Sequence, residues 1–230
     1  MKVKGGYFKK LLFVDLDNND IRVVPLSDDF CLKYIGGRGI GIKLIWDNQK
    51  NYRSPLDPQN LVVVAPGPLT GLYLPSSSKT SFISISPATG IYGDSSIGGS
   101  FGVELRQAGY DALAIKGRAE NLSYLWIDDG EVKVVANERL KGKGSLETEG
   151  IIKNELKDDH VSIASIGVAG ENLVRFACIT ADWGRNAGRT GIGAVLGSKN
   201  IKAIVVRGSQ DLPVYDRPRL KELSDAAYAH

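Results

Sequence analysis

Short apolar and β-rich runs dominate the hydrophobic pattern of this chain, one of them alternating with a period of two, and stretches of helical character are set singly between them. "YFKKLLFVDLDNNDIRVVPL" (7–26) predicts a hairpin, with Asp17, Asn18, Asn19 and Asp20 as its turn. "SDDFCLKYIGGRGIGIKLIWDN" (27–48) predicts two short helices around Gly36 and Gly37, the first capped by Ser27. "LVVVAPGPLTG" (61–71) predicts a buried strand running into a turn, and "SFISISP" (81–87) an alternating strand. "SFGVELRQAG" (100–109) predicts a short helix ended by Gly109. "DALAIKG", "LSYLWIDDG" and "EVKVVAN" predict strands, the last two joined as a hairpin at Asp128, Asp129 and Gly130. A helix follows over 145–158. Then come strands at "VSIASIG", "LVRFACIT" and "IKAIVVRG", with a helix over 190–198 between the last two. A final helix is expected over 216–229. The result is an α+β class with two mixed β-sheets and short inserted helices, not the regular alternation of a doubly wound fold.

The order of elements repeats. "FGVELRQAGYDALAIKG" (101–117) lies over "IGAVLGSKNIKAIVVRG" (192–208), with Gly102 on Gly193, Leu105 on Leu196 and Ala112 on Ala203, each 91 apart. Upstream, "FISISPATG" (82–90) lies over "FACITADWG" (176–184), and Gly67 falls 100 residues before Gly167. A pseudo-two-fold internal repeat follows, with glycine loops 90–99 and 184–193 as mates. A site on that axis would hold two similar groups.

Those two loops carry the candidate chemistry. "GRNAGRTGIGAVLGSKN" (184–200) contains five glycines and three basic side chains, Arg185, Arg189 and Lys199, and no Asp or Glu stands between Asp182 and Asp211. Glycine lets backbone amides approach an anion closely, and helix starts present free N–H groups. Arg185 and Arg189 could grip phosphate with charge-assisted bonds. The first loop offers Ser76, Ser77, Ser78, Ser95 and Ser96 with Lys79, Gly98 and Gly99, beside an acid-free span from Gln59 to Gly93. Both loops read as phosphate cradles.

Smaller motifs fit poorly. "GAVLGSKN" is not a Walker A loop, and "GGRGIG" follows a helical segment where a dinucleotide fingerprint needs a strand. Arg38 reads as a loop arginine, and Asp94 as a turn cap or a metal contact. His160 and His230 have no evident partner, and no nucleophile–base arrangement is present. The composition, 43% hydrophobic and 24% charged, is that of a globular domain. The net charge of +3 does not point to a nucleic-acid binder. Cys31 and Cys178 are too far apart for an autonomous zinc or iron–sulfur motif. No apolar run is long enough to span a bilayer, and a cytoplasmic location with no membrane or nucleic-acid partner is expected.

With these residues in view, the chain resembles the N-terminal domain of the aldehyde:ferredoxin oxidoreductase family, the tungsten or molybdenum bis-pterin enzymes. The matching stretches include "GGYFKKLLFVDL", "YIGGRGIGIKL", "SPLDPQNLVVVAPGPLTG", "GGSFGVELRQAGYDALAIKGRAE" and "GRNAGRTGIGAVLGSKNIKAIVVRG", and together they cover nearly all of residues 5–210. The resemblance implies a base of two sheets on which the cofactor rests, each half serving one pterin, with a magnesium ion bridging the terminal phosphates. Carried over by position, the cofactor-binding residues are Lys79, Ser96 and Gly98 in the first loop and Arg185, Asn186, Gly188 and Arg189 in the second. The backbone carbonyls of Ser96 and Asn186 are the implied magnesium ligands. This chain departs from the family pattern at three of these positions: Lys79 replaces an arginine, Ser96 an asparagine and Asn186 an alanine. A carbonyl survives any such change, whereas Lys79 keeps the charge and loses the fork.

The resemblance further implies a 4Fe–4S cluster, a substrate cavity and later helical domains outside this chain. On that basis residues 1–210 are expected to form the pterin-binding domain and 211–230 to begin a helical domain cut short. The whole enzyme would oxidise aldehydes to carboxylic acids with ferredoxin as electron acceptor, and the isolated chain would be inactive. Tungsten against molybdenum, and a homo-oligomer against a monomer, stay open. Two other readings stand beside this one: a stand-alone or split-subunit pterin carrier without catalysis, and a β-rich core whose glycines serve packing alone.

Overall fold

A computed structural model describes residues 2–48 and 53–229. The first half contributes β1 (Lys10–Asp15), β2 (Asp20–Pro25), β3 (Val62–Pro66), β4 (Thr80–Ile85), β5 (Tyr92–Ile97) and β6 (Ala112–Lys116). The second contributes β7 (Ser123–Asp128), β8 (Glu131–Ala136), β9 (Ser162–Ser165), β10 (Ile179–Ala181), β11 (Arg185–Ala187) and β12 (Ile201–Arg207). The helices are α1 (Asp28–Tyr34), α2 (Gly37–Asn48), α3 (Phe101–Gln107), α4 (Ser145–Leu156), α5 (Val168–Glu171), α6 (Ile192–Ser198) and α7 (Arg217–Tyr228). Each half forms one six-stranded sheet, ordered β2-β1-β6-β3-β4-β5 in the first and β8-β7-β12-β9-β10-β11 in the second. One pair in each sheet is parallel, β1 with β6 and β7 with β12, and the others are antiparallel. The fold is α+β with two mixed sheets.

The two sheets repeat one another strand for strand and in register. Leu12 lies opposite Val23 and Leu113, while Leu125 lies opposite Val134 and Ile204. Val64 lies opposite Phe82 and Leu113, while Ala164 lies opposite Ala181 and Ile204. The repeat therefore takes in the N-terminal hairpin, which the sequence comparison did not reach. It also corrects one alignment. Residues 82–90 do not overlie 176–184; the register sets Ser81 on Thr180, 99 apart. The connection after β4 spans 86–91 and that after β10 only 182–184, so matching the glycines of the two turns slips the strands.

"LVRFACIT" is likewise not a strand over its length. Leu173 is left-handed at φ 55° and bonds back to Gly170, Phe176 is exposed, and pairing begins only at Ile179. Ser27 caps α1 as expected, accepting from the Phe30 amide at 3.1 Å. His230 lies outside the described residues.

The main core lies between the sheets and includes α3 and α6. Phe82 and Phe101 stack there at 5.8 Å, beside Leu105, Leu113, Ile192, Leu196 and Ile204, all fully buried. Burying a side chain of this size contributes about 1.5–3 kcal/mol. Packing is reciprocal: α3 meets β9 and β12 of the second half, and α6 meets β3 and β4 of the first. Ile40, Leu44 and Ile45 of α2 cover the outer face of the first sheet, and Ile152 of α4 that of the second. Each half also buries an ion pair. Arg106 meets Asp111 at 2.9 Å, and Lys202 meets Glu171. Asp111 and Lys202 are equivalent positions, 91 apart, with opposite charges. Residues 211–216 pack back onto the first half, where the Gly6 amide donates to Pro213 at 2.7 Å, before Asp216 caps α7.

Candidate functional site

β5 and β11 close the same edge of their respective sheets, and they lie against each other. Both stretches read from sequence as loops. Gly93, Asp94, Ser95 and Ser96 have poor strand propensity, yet the ladders of β4 and β10 order these segments all the same. From these edges Gly98 to Ser100 lead into α3, and Gly188 to Gly191 into α6.

The register makes the candidate residues equivalent in pairs. Ser96 faces Ser81, their hydroxyls 3.0 Å apart, and Asn186 faces Thr180, whose hydroxyl donates to the Asn186 side chain at 2.7 Å. Gly98 and Gly188 each follow two residues later. The loops are sewn together across the halves. Ser86 Oγ donates to the Thr190 carbonyl at 2.7 Å, and the Arg189 amide donates to Ser95 Oγ at 3.2 Å. A Cβ on Gly93 would stand 2.8 Å from Thr190, so glycine is required for this approach.

Lys79, Arg185, Asn186, Gly188 and Arg189 are exposed, while Ser96 and Gly98 are half-buried. Among the described residues Lys79, Arg185 and Arg189 form no ion pair. Lys79 stands two residues before Ser81 and lines a cleft of about 490 Å³ with Gly36, Gly37, Pro68, Thr70 and Ser77. That volume suits a medium-sized organic ligand.

Not every basic residue of the run belongs here. Lys199 turns inward, is fully buried, and donates to the Pro58 carbonyl. Burial pushes its ammonium down to about 7, against the pull of Asp17, Asp57 and Asp15. Arg38 sits on α2 and pairs with Asp94 at 2.6 Å, which raises the guanidinium and accounts for both residues. Asp94 lies within β5 and not in a turn. His160 is exposed in its turn, and among the described residues no group of three or more His, Cys, Asp or Glu side chains is placed to hold a metal ion.

Sequence reasoning missed Asp182, the residue that ends the acid-free span. Its carboxylate accepts from the Ser100 amide at 2.6 Å and the Phe101 amide at 3.2 Å, occupying the start of α3. The start of α6 is closed as well: Gly191 to Gly193 are buried, and the Gly193 amide donates to the Ala177 carbonyl at 3.1 Å. The signal was present in sequence, since an acid at a glycine-loop boundary is a candidate cap, but its target lay 82 residues away.

The chain matches the family model "Aldehyde ferredoxin oxidoreductase, N-terminal domain" over residues 11–208. It is 41% identical to the tungsten-containing aldehyde ferredoxin oxidoreductase of Pyrococcus furiosus over 214 residues, covering 93% of this chain and 35% of that protein. It is 38% identical to the WOR-like subunit of an aliphatic sulfonate oxidoreductase from the same organism, covering 95% of this chain and 37% of that one. Among solved structures it superimposes with a TM-score of 0.88 and 38% identity on a chain of the active-site complex BamBC of benzoyl coenzyme A reductase. That match covers 91% of this chain and 32% of the other. The chain spans about a third of the length of these relatives.

Proposed function

Since the chain belongs to the aldehyde ferredoxin oxidoreductase family and carries its N-terminal domain, we propose that it forms the base on which a tungsten bis-pterin cofactor rests. One observation carries this reading: two register-equivalent glycine turns meet at paired sheet edges, and among the described residues Lys79, Arg185 and Arg189 have no ion-pair partner there. The residues fit such a group. Lys79 is free to meet one anionic terminus beside its cleft, and Arg185 and Arg189 the other. Gly98 and Gly188 leave backbone room at the same step of each repeat. Ser96 and Asn186 occupy matched positions on edge strands, where a row of backbone groups has no ladder partner. Their carbonyls are our assignment for a bridging magnesium ion.

The bound metal would supply two-electron redox chemistry. The part of this chain is to bind and orient: three cations neutralise phosphate charge, and the rigid double sheet fixes one loop against the other. The whole enzyme in this reading is an oxidoreductase of an aldehyde-type substrate with ferredoxin as electron acceptor, and a 4Fe–4S cluster would supply the one-electron chemistry between them. The ligands of that cluster lie outside this chain, and residues 211–230 lead toward the helical domains that complete the site. A cytoplasmic setting fits, and no helix among the described residues is long and apolar enough to cross a membrane.

The test has two arms. The full-length protein should contain tungsten with two pterins per metal. In the 230-residue chain, Arg185→Ala and Arg189→Ala should each weaken binding of inorganic pyrophosphate by about tenfold or more, the scale of one lost charge-assisted hydrogen bond. One pterin per metal in active enzyme, or pyrophosphate affinity indifferent to both arginines, would overturn the reading.

A further inference from the structure

The turn between β10 and β11 adopts a costly backbone. Asp182 and Trp183 both have positive φ, 47° and 58°, and Gly184 closes the turn through its amide to Ala181 at 3.2 Å. Such a tight turn ordinarily takes Asn-Gly or Asp-Gly, and a tryptophan at positive φ is an outlier. Contacts on both flanks hold it there. The Trp183 amide donates to Glu149 at 3.1 Å, a carboxylate buried on α4. Asp182 reaches across to the first half with both oxygens. One accepts from the Ser100 and Phe101 amides, and the other from Ser100 Oγ at 2.9 Å and Ser162 Oγ at 3.1 Å. Ser100, at the cap position of α3, makes no side-chain cap of its own.

Three residues on, Arg185 folds over the same place. A Cβ on Gly99 would stand 2.8 Å from Arg185 Cδ and 3.0 Å from Nε, and it would strike the Asp182 carboxylate. Residues 182–185 therefore grip 99–101 from two sides, and Gly99, at φ 98°, can only be glycine.

We infer that Asp182 is the positioning residue that registers the second loop against the first, so that the stem of Arg185 is held against Gly99. Its carboxylate also keeps the α3 amides out of anion binding and leaves that work to the cations. The consequence for an anion rests on the cofactor reading above; the clasp itself does not.

The experiment compares the wild-type 230-residue chain with Asp182→Ala and the milder Asp182→Asn by amide hydrogen exchange, and then titrates each with inorganic pyrophosphate. Asp182→Ala should speed exchange at least tenfold at Ser100 and Phe101 and also across Arg185 to Gly188, and Asp182→Asn should fall between. Pyrophosphate should bind about tenfold more weakly to Asp182→Ala although an acid has been removed, with no further loss when Arg185→Ala is already present. Faster exchange confined to Ser100 and Phe101 would make Asp182 a helix cap and nothing more. Tighter pyrophosphate binding by Asp182→Ala would make it a mere blocking charge. Either result overturns the inference. If the wild-type chain ignores pyrophosphate while both loops respond in exchange, the clasp stands and the cofactor reading falls. If Asp182→Ala does not fold, Asp182→Asn decides by the same criteria.

Discussion

Replacing Lys199 by methionine separates the cations that serve the site from the one that does not. Its stem and volume are nearly kept, and the Pro58 carbonyl stays satisfied by the Gly117 amide at 2.8 Å. What disappears is one buried ammonium. In the folded protein Lys199 gives up its proton near pH 7, whereas in the unfolded chain it holds it to 10.5. Between those values the unfolded state binds more protons, so stability rises with pH; below about 7 the full burial cost is present. Each pH unit in that window is about 1.4 kcal/mol, so roughly 3 kcal/mol separates pH 7 from pH 9.5. Urea unfolding of the wild-type chain and Lys199→Met at pH 6, 7, 8 and 9.5 reads this directly, because the other titrations are common to both. The wild type should gain on the variant by a few kcal/mol across the series, and the difference should be flat from pH 6 to 7. A gap that does not change with pH would refute the reasoning: the ammonium would then keep its ordinary proton affinity. Pyrophosphate affinity at pH 6 should be the same in both proteins, since Lys199 faces the interior.

The buried pair of the first half should respond more severely. Arg106→Met leaves Asp111 almost fully buried with the backbone amides of Phe8, Lys9 and Lys10 and no cation as partner among the described residues, and should cost about 3–5 kcal/mol in urea unfolding, part of which Arg106→Met with Asp111→Asn restores. Gly99→Ala should destabilise by about 1–3 kcal/mol from backbone conformation alone, with more from the crowding at Asp182 and Arg185. Gly98→Ala, whose Cβ would sit at an ordinary 3.4 Å from Ser78 Oγ, should change the melting midpoint little. Equal losses at the two glycines would mean that the clasp does not constrain Gly99.

Much of this architecture was legible along the chain. The apolar runs at 11–14 and 62–66 and the partial alternation over 81–87 mark strands because one or both faces of each are buried. Ser27 caps α1 through a contact three residues away, and such local chemistry needs no tertiary knowledge. The 91-residue repeat was visible at α3–β6 and α6–β12, where both copies pack into the central core and keep similar residues. It was invisible for the N-terminal hairpin and its mate, because β2 and β8 carry different exposed residues over the same hydrogen-bond register. In the loops the glycines and basic residues identified the site's chemistry. They did not reveal that 92–97 and 185–187 are strands, since neighbouring backbones supply that pairing whatever the side chains.

By itself the sequence determined the class of fold, the doubling of its parts and the glycine-rich, basic character of two loops, because propensity, alternation and charge are properties of neighbours. Only the tertiary structure decided which cations remain available. Lys199 and Arg185 belong to one acid-free run, yet one is driven into the interior by the packing of α6 and the other lies exposed across Gly99. Asp182 likewise gains its role from Ser100, 82 residues away, through the apposition of the two sheets. Burial and long-range hydrogen bonding are set by which surfaces meet, and no local pattern carries that information.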